Sequence, residues 1–430
     1  MYKMNIIFTV LYNFLFYPIF VFSIFFLSIF NKKIRRGIIG RFETYYILNK
    51  YFNKNNINSK KVWFHCSSLG EYLQAEPIIN SLKSENKSYT ILVSFFSPSG
   101  YDNVKNPNID CKVYLPFDFS WTLNSVFDIV NPSSIILVNN DLWFNFLKIA
   151  KSRRVKTYLI GAESKNFQNN RLLFSHYFYK PTYSSFTKIF ANTIEDSESL
   201  FSYLKNNDKK SIITTGNPRF DQVYNNSKKN NIVKNTQVED RENILLLSSM
   251  HKEDRNMIIS QLVGYLKQNA LIQAIWVSHE PNNQENKYLS NIFKRNELSV
   301  KVVDTLRKVE KNNSRVIIIN TVGILADLYW KVKLAYVGGG FSSGVHNLME
   351  PAVAGVPTIF GPNYKKFKEA IEILKKGAGE TINTGSGFKN NVINYFDNEK
   401  NLIKSSKTAV KIINSHIGAT KKIINHIIID

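Results

Sequence analysis

Two stretches of this chain carry residue types that could do chemistry. In "WFHCSSLGEYLQAEP", residues 63–77, a short apolar run ends at His65–Cys66, a Ser-Ser-Leu-Gly turn follows, and a helix opens with Glu71. A carboxylate held at the carboxyl end of a strand can take a proton from a hydroxyl, the work of a general base. Helix N-termini also favour glutamate for dipole reasons, and the residues alone leave both readings standing. In "VGGGFSSGVHNLMEPAVAGVP", residues 337–357, Gly338, Gly339 and Gly340 close a short apolar strand and precede a helix expected to begin near Asn347. Glycines let backbone approach a ligand and adopt positive φ, and the N–H groups of a following helix attract phosphate. The pattern is neither GxGxxG nor a P-loop, so NAD and ATP lose their usual support. Glu350 has two readings: a carboxylate accepting hydrogen bonds from a ribose-like diol, or the second half of a capping box with Asn347. Pro351 marks a helix start in either case.

Smaller clusters accompany them. "TGNPRFDQV" holds Arg219 and Asp221; "LLLSSMHKED" places Ser248, Ser249 and His251 after a strand; "IWVSHEP" ends another strand with His279 and Glu280; Asp141 follows a strand in "VNNDLWFNFL". The histidines show no metal-ligand spacing such as HExxH, and Cys66 and Cys111 are too few for a disulfide framework or a structural zinc site. A reduced compartment, no metal and no cofactor is the simplest reading.

The elements that must position these residues are legible as β-branched or aromatic runs between helical stretches. The first half predicts strands at Val62–Cys66, Thr90–Phe96, Lys112–Leu115, Ser134–Val138, Thr157–Ile160 and Lys188–Ala191. The second half predicts Ile244–Ser248, Gln273–Ser278, Lys301–Val303, Val316–Asn320, Leu334–Val337 and Thr358–Phe360. Continuous apolar strands between helices imply parallel sheets covered on both faces. The polar stretch "YNNSKKNNIVKNTQVEDREN", residues 224–243, reads as a linker between two doubly wound domains with a cleft between them. Ligands of such sheets bind beyond the carboxyl ends of strands.

From Ile6 to Phe30 there is no charged residue, and Lys32, Lys33, Arg35, Arg36 and Arg41 follow at once. That run is long enough to span a hydrocarbon core of roughly 30 Å, with a kink at Pro18. The basic flank places the body in the cytoplasm. A cleaved signal peptide fits poorly, because the run is too long and the charge lies on the wrong side. A helix lying in one leaflet is the other membrane reading. The formal charge of +23 suits anionic lipid or a phosphorylated substrate. No RRM, KH, zinc-finger or helix-turn-helix signature accompanies it, so no nucleic-acid partner is expected.

Together these stretches resemble the 3-deoxy-D-manno-octulosonic acid (Kdo) transferases of lipopolysaccharide synthesis, over nearly the whole chain. The resemblance rests on the anchor with its basic flank, "WFHCSSLGE", "NDLW", "TGNPRFD", "SSMHKED", "NTVGILADLY", "VGGG" and "GVHNLMEPAVAGVP". The arginine at Arg219 is similar to the branch found in Bacteroidetes-type bacteria. The resemblance implies a GT-B type α/β fold: two doubly wound Rossmann-like domains facing a cleft, with an N-terminal membrane anchor helix. On the chain this divides as anchor 1–30, acceptor-binding domain 31–223, linker 224–243, donor-binding domain 244–405 and helical tail 406–430, the tail packing back on the first domain. It implies transfer of Kdo from CMP-Kdo to lipid IVA at the cytoplasmic face of the bacterial inner membrane, without metal or cofactor. Glu71 would be the general base, supported by Asp141. Arg219, Ser249, His251, His279, Gly339, Gly340, Asn347 and Glu350 would contact the donor, and Ser68 and Lys165 the acceptor. Membrane lipids would be partners through the anchor. The chain departs from the family at Asp141, where many members have glutamate, at Lys165, where arginine is expected, and at Ser248, where glycine is expected. Other readings are another GT-B glycosyltransferase, a nucleotide-sugar epimerase, or a membrane-tethered binding protein without catalysis.

Overall fold

A computed structural model describes residues 2–54, 59–139, 141–164, 179–204, 211–229, 237–310 and 313–427. The chain forms two compact units, Met1–Gln222 with Ile417–Asp430, and Val223–His416.

Among the described residues the first unit holds a seven-stranded parallel sheet in the order β3-β2-β1-β4-β5-β6-β7. Its strands are β1 Lys61–Cys66, β2 Thr90–Phe95, β3 Cys111–Tyr114, β4 Ser134–Val138, β5 Lys156–Ala162, β6 Lys188–Ala191 and β7 Ile212–Thr214. The second unit repeats the plan in the order β10-β11-β9-β8-β12-β13-β14. Its strands are β8 Glu242–Met250, β9 Gln273–Ser278, β10 Val300–Val303, β11 Val316–Ile319, β12 Val332–Val337, β13 Thr358–Phe360 and β14 Gly379–Thr381. Both are doubly wound α/β sheets, and the architecture is of the GT-B type. Strand order reverses at β1/β4 in one sheet and at β8/β12 in the other. Beyond the carboxyl ends of such a pair of strands lies the crevice where open α/β sheets bind ligands.

β2 and β4 are buried along their whole length, which is why they read as unbroken apolar runs rather than as alternation. In the first unit Trp63 meets the edge of Phe146 at 4.8 Å and lies beside Phe127. In the second, Trp276 packs near Phe293. Each such buried ring contributes about 1.5–3 kcal/mol relative to exposure.

The apolar N-terminus is helical over Tyr2–Leu11 and Tyr17–Phe30, joined by a single π-helical turn at Tyr12–Phe16. The cause is Pro18, which lacks an N–H and whose ring would clash one turn back. Widening the turn, with Tyr17 N–H bonded to the Tyr12 carbonyl, absorbs that clash. A second helix, Lys32–Lys54, lies on the sheet with Leu48 and Phe52 buried. Arg41 differs from the expectation of a free basic flank. It is buried, donates to the carbonyls of Gly37 and Phe96, and sits 4.2 Å over the Phe96 ring. Arg36 pairs with Asp102, and Arg35 donates to the Ser28 and Ile29 carbonyls at the end of the preceding helix.

The described parts of the stretch expected as a linker, 224–229 and 237–243, carry regular structure. A helix over Pro218–Lys229 runs into it with Phe220 and Val223 buried. At its far end the Arg241 guanidinium is buried against the carbonyls of Tyr329, Val332 and Ala354. Burial lowers the Arg241 pKa to about 10, against the nearby Glu239 charge, so it remains charged at neutral pH.

The C-terminal return to the first unit is fastened by one carboxylate. Asp221 accepts from the backbone N–H groups of Gly418 and Thr420, both at 2.6 Å, at the start of helix Ala419–Ile424. Charge-assisted bonds of this kind contribute about 1.5–3 kcal/mol each. Asp221→Ala is therefore expected to release this helix. Amide exchange at Thr420–Ile424 should accelerate by at least tenfold while the strand amides of β1 and β4 remain protected. Unchanged exchange would show that apolar contacts through Ile423 hold the helix alone.

Candidate active site

In the first unit the helix Leu69–Glu85 begins two residues before the expected start, with Ser68 in extended backbone at its N-cap. Glu71 is thus the third helical residue, and its carboxylate folds back to accept from the backbone N–H of Ser67. It serves the helix end, as the dipole argument expects, and it also sits at the switch point beyond β1.

Asp141, beyond the neighbouring β4, is held there by a buried relay. Trp63 Nε1 donates to Ser94 Oγ (2.8 Å), and Ser94 Oγ meets His65 Nδ1 (2.9 Å). His65 Nε2 in turn lies 2.7 Å from Asp141 Oδ2. His65 Nδ1 also lies 3.1 Å from the Ser94 carbonyl oxygen, so both ring nitrogens have partners. Ser67 Oγ donates to the same carboxylate, and the Trp143 indole N–H lies 3.2 Å from His65 Nε2. His65 is fully buried.

The two carboxyl groups are driven apart in acidity. Burial alone would raise the Asp141 pKa, but hydrogen bonds and charge from His65, with further bonds from Ser67 and Trp143, hold it below the usual carboxylate value. Glu71 lacks that support. Burial, and then the negative charge of Asp141, raise its pKa to about 8, against the N–H groups of Ser67 and Ser68. Paired groups whose environments separate their pKa values are the signature of an acid–base site.

In the second unit the glycine turn closes on β8. Ser249, at φ +50°, is left-handed without being glycine and lies in a bulge of β8. A side chain at Gly338 would place its Cβ 2.3 Å from the Ser249 carbonyl. Gly339 has φ +90°, where only glycine is at ease. Its N–H donates to Asp254 Oδ2 at 2.7 Å, while the same buried carboxylate accepts from Tyr336 Oη at 2.9 Å. The Gly339 N–H, expected near a phosphate, is therefore occupied by Asp254. The N–H of Gly340 meets no acceptor among the described residues.

The helix expected near Asn347 is one short turn and a half, Met349–Val353. Asn347 Oδ1 accepts from Met349 N (3.0 Å), and its amide Nδ2 donates to Glu350 Oε1 (2.9 Å). The pair is joined side chain to side chain, which differs from the reciprocal backbone bonds of a capping box.

Beside this turn three imidazoles converge from three separate segments. The His251, His279 and His346 rings stack with centroids 4.5–4.9 Å apart, and His251 Nε2 lies 2.7 Å from His346 Nε2. Sequence spacing could not show this set, since the residues lie just after β8, just after β9 and in the glycine loop. Their ligand nitrogens are close enough together to hold a metal ion. The hydrogen bonds, however, give His251 a different task. Its ring accepts from the N–H of Asp254 at the start of helix Lys252–Gln268, so Nε2 carries the proton and donates to His346. Burial, followed by the charge of its two neighbours, lowers the His346 pKa to about 4, and the His279 pKa is lowered by burial and by His251.

The expected site residues thus fall in two groups. Ser68, Glu71 and Asp141 come together in the first unit, and Arg219, just beyond β7, belongs to that unit also. Ser249, His251, His279, Gly339, Gly340, Asn347 and Glu350 gather in the second. Lys165 lies outside the described residues. Sequence reasoning missed His65, Asp254 and His346. His346 and Asp254 stand inside quoted motifs, but the residues they meet across the fold lie 67 to 95 positions away.

The family described as "3-Deoxy-D-manno-octulosonic-acid transferase (kdotransferase)" matches residues 40–222. The chain is 26% identical to the 3-deoxy-D-manno-octulosonic acid transferase of Aquifex aeolicus, covering 77% of this chain and 86% of that one. It is 26% identical to the transferase of the same description from Chlamydophila psittaci, over 74% and 73%. Among solved structures it shares its fold with a UDP-GlcNAc 2-epimerase from Neisseria meningitidis, with TM-score 0.60, 15% identity, and 85% and 98% of the two chains covered.

The burial of Glu71 carries its own test. Its folded pKa lies above the unfolded value of about 4.3, so the folded state binds the extra proton between roughly pH 4.5 and 8. Glu71 therefore contributes stability below pH 4.5 that is lost as pH rises through 8. Glu71→Gln removes this loss, so the difference in Tm between variant and wild type should grow more favourable to the variant from pH 5 to pH 8.5. A difference independent of pH would show that Glu71 titrates normally.

Residues 40–222 thus match the family model of the 3-deoxy-D-manno-octulosonic acid transferases, and the chain is similar to glycosyltransferases of that description over about three quarters of its length.

Proposed function

We propose that the protein is a Kdo transferase that moves Kdo from CMP-Kdo to a hydroxyl of lipid IVA at the cytoplasmic face of the inner membrane. The observation that carries the catalytic part is the Glu71–Asp141 pair, one carboxyl raised to about 8 and its neighbour held ionised. Unprotonated Glu71 takes the proton of the acceptor hydroxyl. The acceptor oxygen forms its bond to the anomeric carbon as the bond from that carbon to the CMP phosphate oxygen breaks, and CMP departs with the electron pair. Asp141 stays ionised and keeps Glu71 basic enough for the task; Ser68 and Lys165 would meet the acceptor.

The second unit would hold the donor. Glu350, oriented by Asn347, is suited to accept from the two ribose hydroxyls. Gly340 offers an N–H, and Ser249, His251 and His279 offer polar groups beside the glycine turn. Arg219 would answer the negative charge of the donor. The raised Glu71 pKa and the Asn347–Glu350 pair are independent supports, one for proton transfer and one for nucleotide binding.

For the location, one helix among the described residues is long and apolar enough to cross a membrane, Ile7–Phe30. An acyl-chain-bearing acceptor requires an enzyme at a membrane surface, and this segment would keep it there.

The test is transfer with purified full-length protein, CMP-Kdo generated in situ and lipid IVA, read by mass spectrometry. Wild type is expected to add Kdo units, while Glu71→Ala should lose at least 100-fold in rate, in the range of general-base contributions, while still unfolding cooperatively on heating. UDP should not displace CMP. No product from wild type, or full activity in Glu71→Ala, would overturn the proposal.

A further inference from the structure

The apolar N-terminal segment is fastened along the first unit. Phe8 packs edge-on against Phe144 (5.2 Å), and Tyr12 Oη donates to Asp118 Oδ2 (2.7 Å). Asn13 exchanges hydrogen bonds with Asn145, and Tyr17 Oη accepts from the Asp118 N–H. Farther on, the Tyr17 ring meets Phe119 at 5.0 Å, Phe20 meets Trp143, and Phe25 meets Phe117 and Phe42. From Phe8 to Phe25 these contacts follow roughly 26 Å of helix. Asp118 in turn is buried and accepts from the N–H groups of Asn145 and Phe146, so it belongs to the body of the unit.

A helix that crossed a bilayer of roughly 30 Å would carry these contacts to mid-membrane depth. Asp118, Asn145 and the sheet behind them would have to follow into hydrocarbon, where unpaired polar groups cost several kcal/mol each. Only one side of the helix is covered, however. The other side leaves Phe14 81%, Phe22 74% and Phe30 76% exposed, with Ile19 and Phe26 between them. The apolar face continues beyond the helix. Phe42, packed on Phe25, is 67% exposed, as is Trp121, which stacks on Phe119 at 4.5 Å.

We infer that this face is a monotopic membrane platform: the segment Ile7–Phe30 lies along one leaflet, seated on the first unit, rather than passing through the bilayer. The inference rests on the membrane-surface reading given above and specifies its geometry. Its occupant is lipid because of what rims it. Trp121, Tyr45 and Tyr46 are exposed rings with polar tips, the residue types that favour the headgroup level. Lys32 and Lys33 stand exposed at the end of the apolar helix, where an anionic headgroup would pair with them. So large an apolar surface does not stay in water, and a mixed aromatic and basic rim suits an interface better than a protein partner.

The test uses the full chain in vesicles of phosphatidylethanolamine and phosphatidylglycerol, made by detergent removal. Single cysteines replace exposed side chains, Phe14→Cys, Ile19→Cys, Phe22→Cys and Phe30→Cys, and carry an environment-sensitive fluorophore; the native Cys66 and Cys111 are buried. Lipids brominated at different depths then quench each probe. The platform predicts that all four positions are quenched most strongly by the same shallow bromine. Deepest quenching at Ile19, with shallow quenching at Phe30, would show a crossing helix and overturn the inference. Probes untouched by any lipid quencher, with the protein in the supernatant or self-associated, would overturn it together with the membrane reading. Transfer activity is measured separately on each labelled protein, so failure of the transferase reading leaves the depth profile interpretable.

Discussion

The constraint on which the first unit turns is an unfavourable one. Two carboxyl groups, Glu71 and Asp141, share a half-buried position at the end of a parallel sheet, and both cannot be ionised there without cost. The fold decides which yields. Asp141 receives His65, Ser67 and Trp143, while Glu71 receives only backbone N–H groups at a helix start. Because His65 is anchored through Ser94 to Trp63 in the core, the choice is built into the packing of β1 and β2. A residue shorter than the usual glutamate at position 141 does not break the arrangement, since the relay reaches it directly.

The second unit solves a different problem, that of holding a glycine turn open without letting it collapse. Asp254 does so by taking the Gly339 N–H and the Tyr336 hydroxyl. This places a buried carboxylate against the turn. The left-handed Ser249 lies against the same turn. Strain of this kind collects at functional positions and is maintained by surrounding contacts, here by the close approach of Gly338.

Much of the fold was legible because its strands are buried on both faces and read as unbroken apolar runs; Ser134–Val138 and Gln273–Ser278 are found as expected. The edge strands Ile212–Thr214 and Gly379–Thr381 were not, since three residues carry no periodicity and "GET" carries no apolar signal. The helix Pro218–Lys229 hid in a polar stretch because its buried side includes the polar Asp221 and Gln222 beside Phe220 and Val223. In the sites, Glu71, Asp141 and Glu350 announced themselves by position after strands and at a helix start. The groups that tune them did not. His65 lies 76 residues from Asp141 and His346 lies 95 from His251, distances over which spacing carries no information. The apolar helix was legible as a membrane segment, but its seating on Asp118 depends on contacts 101–106 residues apart.

The central claim is that Asp141 holds Glu71 in the pKa range of a working base. The most direct measurement is the pH dependence of kcat/KM for Kdo transfer, in wild type and in Asp141→Asn. The account predicts a wild-type rate that rises with pH through an apparent pKa near 8, and a variant whose profile moves to lower pH because the like charge is gone and burial alone remains. A rate that is flat between pH 6 and 9, or a profile that Asp141→Asn leaves in place, would contradict it.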